Sequence, residues 1–366
     1  MTKLRILAVE DPAVYGYIEP SFKIIENYEL YEGIKIDFDI VDFKAYYETL
    51  MSTFASYTYD IVMIAGHLWL KNMVSKGFLK PLDQKDDEDI IPSIRQEMKL
   101  DGITYLSPSF CDGHMLVYRN SMVCHKLDHQ ISIKKLIDLV NQYEGYPKIA
   151  LKAHPSELFL DVLPYVLSFH GPIFVSHHRL NIDSELLLEG LYAYKQMMNV
   201  APNDTQTFDN NAIKDQIQQK KVPYAVTWGG QLGRIYNESC VEKEDLRFVA
   251  LKESWNVTWS FAIPHNTDKY DEALKFMNYL TESSVDRMIG GYSGNPVRVS
   301  SYIIDQHKYP WYQNLLEMIN HANHLPNHEN LGEIMVSLTD LFIKYLNDHI
   351  DDNEVKSIVL KLNEGW

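Results

Sequence analysis

Asp60-Ile-Val-Met-Ile-Ala-Gly66 is apolar through five consecutive residues and stops at a glycine, which describes a strand covered on both faces. Two strand-like runs precede it. Leu4 to Val9 is a short apolar run ending in Glu10 and Asp11. Ile34, Ile36, Phe38 and Ile40 alternate with Lys35, Asp37 and Asp39, the period of two expected of a strand. Helical stretches fall between these runs, around Pro20 to Tyr31 and Phe43 to Ala55. Strand, helix, strand, helix, strand in that order calls for a parallel sheet with right-handed crossovers. The start of the chain therefore reads as α/β.

After Tyr105-Leu-Ser-Pro108 and a strand at Met115 to Tyr118, a second body begins. Leu187, Leu191, Tyr194 and Met198 recur at helical spacing, with Asp183 or Ser184 as the N-cap. Pro223 to Thr227 reads as a buried strand ending at Trp228-Gly-Gly230, followed by strands at Arg247 to Leu251 and Trp259 to Ile263. A helix is expected from Tyr270 to Thr281. Leu331, Ile334, Met335, Leu338, Phe342 and Tyr345 form an apolar stripe in a helical tail. At 366 residues the chain exceeds the size at which single cores stop growing, so two domains are expected.

Charge narrows the partners. Thirty-four basic against 50 acidic residues give a formal net charge of −16, the wrong sign for a nucleic-acid partner or an anionic membrane surface. No apolar run approaches the length of a membrane span, and Leu4 to Val9 is too short for the apolar core of a secretion signal. Cys111, Cys124 and Cys240 are the only cysteines, too few and too scattered for a disulfide framework. His321, His324 and His328, with His177 and His178, invite a metal reading, but Pro326 interrupts the register and no acid or cysteine completes a site. Phosphate-loop, dinucleotide and serine-hydrolase signatures are absent, so no cofactor is expected. Gln84 to Asp89 reads as a solvated acidic turn.

The order of segments resembles the bacterial extracellular solute-binding proteins of ABC importers, in particular the sugar-binding, maltose-binding-like family. Asp60 to Gly66, Leu70 to Val74 and Gly77-Phe-Leu-Lys-Pro-Leu-Asp83 are similar to its third strand, helix and turn. Gly102-Ile-Thr-Tyr-Leu-Ser-Pro108 with Leu116-Val-Tyr-Arg-Asn120 resembles its crossing segment. Leu180-Asn-Ile-Asp-Ser184, Ser260-Phe-Ala-Ile-Pro264 and Gly294-Asn-Pro-Val-Arg298 with Ser300 and Ser301 follow in the same order. The resemblance implies an α/β, two-lobed periplasmic-binding-protein type II fold, each lobe a mixed, mostly parallel sheet flanked by helices, with a hinge between lobes. Residues 1–112 and 262–308 would form the first lobe, and 113–261 and 309–366 the second.

What this implies for function is a non-catalytic receptor that binds a small polar ligand, a carbohydrate, by hinge closure around a cleft. It would act as a monomer, extracellular or periplasmic, and deliver to a membrane permease. Glu10 and Asp11 follow the first strand, where a carboxylate can accept hydroxyl hydrogen bonds. His67 follows the third strand, and Asp112 stands at the first crossing. Trp228, Trp255 and Trp259 offer flat faces for a pyranose, the last two four apart on an extended segment and so on one face. Tyr292, in Gly290-Gly-Tyr-Ser-Gly294, reads as a mobile aromatic. Arg298 suits either a ligand or a structural acid. Two rivals remain on the sequence alone: a cytosolic ligand sensor on the same fold, and a glycan-acting enzyme using Glu10, Asp11 and Asp112.

Overall fold

The computed structural model describes residues 2–365 apart from 125, 156–157, 175–179 and 327. The chain divides into two compact units, Met1–Asp112 with Val257–Tyr309 and Gly113–Asn256 with Pro310–Trp366. In chain order the strands are β1 (Lys3–Val9), β2 (Lys35–Val41), β3 (Ile61–Ala65), β4 (Lys99–Leu100), β5 (Ile103–Thr104) and β6 (Ser107–Asp112). They continue with β7 (His114–Arg119), β8 (Gln130–Ile131), β9 (Ile149–Ala150), β10 (Tyr224–Trp228), β11 (Leu246–Leu251) and β12 (Val257–Ala262).

The first unit's sheet has the order β2-β1-β3-β12-β6. β1 lies parallel to β2 and β3, as the opening pattern requires, whereas β12 runs antiparallel to both β3 and β6. β3 is buried at every residue, as its continuous apolar run predicts, with β1 and β12 on either side of it in the sheet. β2 is the edge strand. Its Phe38 stacks on Tyr17 at 6.2 Å, while Asp37 and Asp39 turn outward to Lys3 and Arg5 of β1, at 2.9 and 3.9 Å. The alternation in the sequence is that division between core and water. All of β12 belongs here: Val257 pairs with Asp112 at one end and Ala262 with Val62 at the other. A boundary at 262 would therefore cut a continuous strand, and the chain leaves the second unit at Asn256 instead.

The second unit repeats the plan with the order β8-β11-β7-β10-β9. Here β7 is the reversed strand, antiparallel to β10 and β11, which are in turn parallel to β9 and β8. The helix Ser184–Asn199 starts where expected, with Asp183 accepting from the Glu185 and Leu186 N–H groups. The helix Leu158–His170 carries Pro164 inside it, which hides it from a periodicity reading. Arg119, at the end of β7, is wholly buried. Its guanidinium donates to the carbonyls of Ile217, Gln218, Val241 and Glu242, closing the end of the helix Asn210–Gln218 and the segment before β11.

Candidate functional site

Open α/β sheets bind ligands beyond the carboxyl ends of their strands, where the loops vary freely and helix N-termini are presented. In the first unit Val9 pairs with Val41, so Glu10 and Asp11 stand beside Asp42 and Phe43 at that edge. The Glu10 side chain is exposed and accepts a hydrogen bond from the Tyr15 hydroxyl at 3.1 Å. Asp11 caps the helix Pro12–Tyr17, accepting from the Ala13 N–H at 2.8 Å. His67 lies half-buried in the first turn of the helix Gly66–Ser75, directly after β3. Asp112 ends β6 and accepts from Asn295 Nδ2 at 3.2 Å. Four predicted residues thus share the carboxyl edge of one sheet, with Asp11 also serving as a cap.

Trp259 reaches the same edge because β12 is reversed and pairs it with Ala65, the last residue of β3. It belongs to an aromatic cluster. Its ring centre is 5.8 Å from Trp69, 6.0 Å from Tyr46 and 6.4 Å from Phe43, and Tyr47 lies 5.2 Å from Trp69. Tyr46 is the buried base of the cluster and donates its hydroxyl to the Met63 carbonyl at 2.7 Å. Phe43 and Tyr47 remain 50% and 41% exposed, enough to offer faces to a ligand. Sequence reasoning missed Phe43, Tyr47 and Trp69. The available signal was position: Phe43 and Tyr47 are one helical turn apart just after β2, and Trp69 lies in the first turns after β3.

Arg298 and Tyr292 stand apart from this group. Arg298 pairs with Asp87 at 2.6 Å and Asp89 at 3.1 Å, and its Nε donates to the Thr281 carbonyl at 2.7 Å. That directs the guanidinium to the chain itself. It also makes the Gln84 to Asp89 turn more than a solvated loop, since Asp86 is likewise paired with Lys99 at 2.6 Å. Tyr292 ends the helix Ser283–Tyr292 and meets Phe22 edge-on at 5.5 Å. The glycines before it serve close packing rather than mobility. A Cβ on Gly290 would come within 2.3 Å of Pro296 Cγ, and one on Gly291 within 2.1 Å of the Tyr309 hydroxyl.

In the second unit Trp228 ends β10 directly opposite His114, and the two ring centres are 4.0 Å apart. His114 Nε2 lies 2.9 Å from Asp161 Oδ1, Lys152 Nζ lies 3.2 Å from Asp161 Oδ2, and the same ammonium is 5.1 Å from the Trp228 ring centre. All four side chains are buried. Burial alone pushes the Asp161 carboxyl up, but Lys152 and His114 outweigh it and hold the group below the usual carboxylate range. No local pattern in the sequence links residues 114, 152 and 161. Trp255 is buried as well and precedes β12 rather than lying on it, so it shares no strand face with Trp259. Its bridge is to Asn323, and its indole Nε1 has no hydrogen-bond partner among the described residues.

Cys111 is buried, Cys124 exposed, and both are free thiols. His321 Nδ1 lies 2.9 Å from the carbonyl of Glu317 in its own helix, and His328 Nδ1 accepts from the Asn330 N–H. His177 and His178 lie outside the described residues. Among the described residues no group of three or more potential metal ligands occurs, and no helix is long and apolar enough to cross a membrane.

Residues 22–286 match the family model described as bacterial extracellular solute-binding protein. The match spans most of the chain, and the chain belongs to that family. Solved structures agree on the fold along the whole length. The maltose-bound MalE3 of Thermotoga maritima is 16% identical, with 99% of each chain covered and a TM-score of 0.86. An ABC transporter solute-binding protein of Thermotoga lettingae bound with α-D-tagatose is 18% identical over 100% of this chain and 99% of that one, at a TM-score of 0.85. One from Agrobacterium vitis with bound D-mannitol is 17% identical over 100% and 98%, at 0.83. No curated protein matches the chain in sequence.

Proposed function

We propose that the chain is the substrate-binding component of an ABC importer, that it captures a carbohydrate or polyol outside the cytoplasm, and that it passes the ligand unchanged to a membrane permease. It acts as a monomer in this reading. Family membership supports the receptor, and the bound ligands of the similar structures, maltose, α-D-tagatose and D-mannitol, are all neutral polyhydroxylated molecules. The observation that carries the ligand class is the edge of the first unit's sheet. There Glu10, exposed and one residue past β1, follows the strand that pairs with the one leading into Phe43, which is partly exposed and belongs to a cluster of rings. A sugar presents hydroxyls that a carboxylate accepts and C–H faces that an aromatic ring covers, so it needs both kinds of group side by side.

The same edge speaks against glycoside hydrolysis. That reaction asks for two carboxylates at a set separation, one of them kept protonated. Glu10 is open to water and Asp11 is engaged as a helix cap, which supports binding without turnover.

The test is a thermal-shift screen of the full chain against sugars, polyols, amino acids and polyamines. A ligand present at a hundred times its Kd stabilises by about 2.7 kcal/mol, a shift of several degrees. Stabilisation by a sugar or polyol, weakened in Glu10→Gln, is the expected result, with no release of chromophore from nitrophenyl glycosides. Stabilisation by amino acids or polyamines alone would replace the ligand class.

A further inference from the structure

We infer that Asn295 is a positioning residue, whose amide sets the Asp112 carboxylate to accept a ligand hydroxyl; this rests on the carbohydrate reading above. Asn295 Nδ2 donates to Asp112 Oδ1 at 3.2 Å. Asp112 is half-buried at the end of β6, whereas Asn295 is only 1% exposed. A carboxylate accepts and does not donate, so the amide can meet it only through nitrogen. The amide oxygen Oδ1 then needs a donor of its own, and it is buried with none among the described residues. An acceptor left in that state costs about 1–3 kcal/mol. A leucine of similar shape would avoid the cost, so packing does not account for an amide here. What the amide supplies and leucine cannot is the N–H directed at Asp112.

The backbone holds Asn295 in place from both sides. Its own carbonyl accepts from the Cys111 N–H at 3.2 Å, one residue before Asp112. The next carbonyl, of Pro296, accepts from the Tyr302 hydroxyl at 2.8 Å, and the Val297 N–H is bonded to the buried Asp286. On the other side Gly294 stands at φ +118°, a conformation that side chains with a Cβ rarely adopt. A Cβ there would also come within 2.7 Å of Ala13 Cβ, in the helix that Asp11 caps. The amide is therefore fixed before any ligand arrives, and it fixes the plane of the Asp112 carboxylate in turn. A carboxylate has about four acceptor sites, so the amide N–H and a ligand hydroxyl can share it. Holding it in advance lowers the ordering cost of binding.

The experiment is a double-mutant cycle on the full chain, read by calorimetric titration. The probes are glucose, xylose, mannose, galactose and arabinose, their disaccharides, and the polyols sorbitol and xylitol. Asn295→Leu should bind the sugar or polyol that the wild type takes roughly tenfold more weakly. Without ligand it should melt within a few degrees of the wild type, because it removes an unpaired acceptor. Asp112→Ala should weaken binding at least as much, and adding Asn295→Leu to it should change the affinity little further. That non-additivity marks a residue acting through Asp112, which a merely structural role would not produce. Asn295→Ala removes the amide without added bulk and carries the same comparison if the leucine variant does not fold. Unchanged affinity in the folded Asn295 variants or in Asp112→Ala, or losses that simply add, would overturn this inference while the carbohydrate reading stands. Binding of none of the probes to the wild type overturns that reading and the inference with it.

Discussion

Lys152 Nζ lies 3.2 Å from Asp161 Oδ2 in the second unit, with both side chains shut away from water. An ion pair in that position contributes little against an apolar replacement, yet breaking it strands a buried charge. Asp161→Ala should therefore destabilise the chain by about 3–5 kcal/mol. Lys152→Met combined with Asp161→Leu should recover most of the loss, measured by urea unfolding of the single and double variants. Because the Asp161 carboxyl is depressed, its contribution is present above the unfolded carboxylate range and is lost as pH falls through the folded value.

Asp286 shows the opposite dependence. It is buried in the first unit, accepting from the Val297 N–H at 2.8 Å and the Ser301 hydroxyl at 2.5 Å, and desolvation raises its pKa from 3.8 to about 6. A raised carboxyl favours the folded state below the unfolded value, and that advantage disappears as pH rises through the folded one. Relative to Asp286→Asn, the wild type should lose on the order of 3 kcal/mol between about pH 3 and about pH 7 and change little above. Melting both proteins across that range checks the sign. A constant difference between them would refute it.

Arg119 gathers four carbonyls with one planar fork. A lysine carries the charge but cannot reach in two directions at once. Arg119→Lys should cost about 2–3 kcal/mol and Arg119→Met about as much or more, since the carbonyls left behind lose their donors. Amide exchange in the helix Asn210–Gln218 should rise in both. Unchanged exchange there would show that the helix end does not depend on the guanidinium.

Gly290→Ala places a methyl group within 2.3 Å of a proline ring carbon that has little freedom to move. The expected cost is about 1–3 kcal/mol, the usual range for overpacking, read as a lowered Tm. A variant as stable as the wild type would restore the mobile-loop reading of Tyr292.

The strands were legible wherever one pattern settled them. β1, β2 and β3 and the helices between them follow from apolar runs and alternation, and Asp183 announces the helix it caps. The reversed β12 was legible as a strand but not as a member of the first sheet, because antiparallel insertion leaves no mark in its own residues. That single fact decides the site: it takes Trp259 to the end of β3 and leaves Trp255 behind in the other unit. Positions just past a strand, such as Glu10 and His67, could be found by counting. The group formed by His114, Lys152 and Asp161 could not, because it is assembled from a strand, a loop and a helix across nearly fifty residues.

The place of β12 also governs when the molecule can fold during synthesis. It lies between β3 and β6, so a nascent chain that has reached Asn256 holds β2-β1-β3 and β6 with no strand to join them. The second unit waits longer still, for the segment that begins at Pro310. Neither unit can close in the order in which it is made. The second unit's sheet has all its strands once Leu251 is made and the first unit's once Ala262 is made, but the second unit still lacks the helices that follow Pro310, so anything that handles the chain earlier meets an unfinished fold.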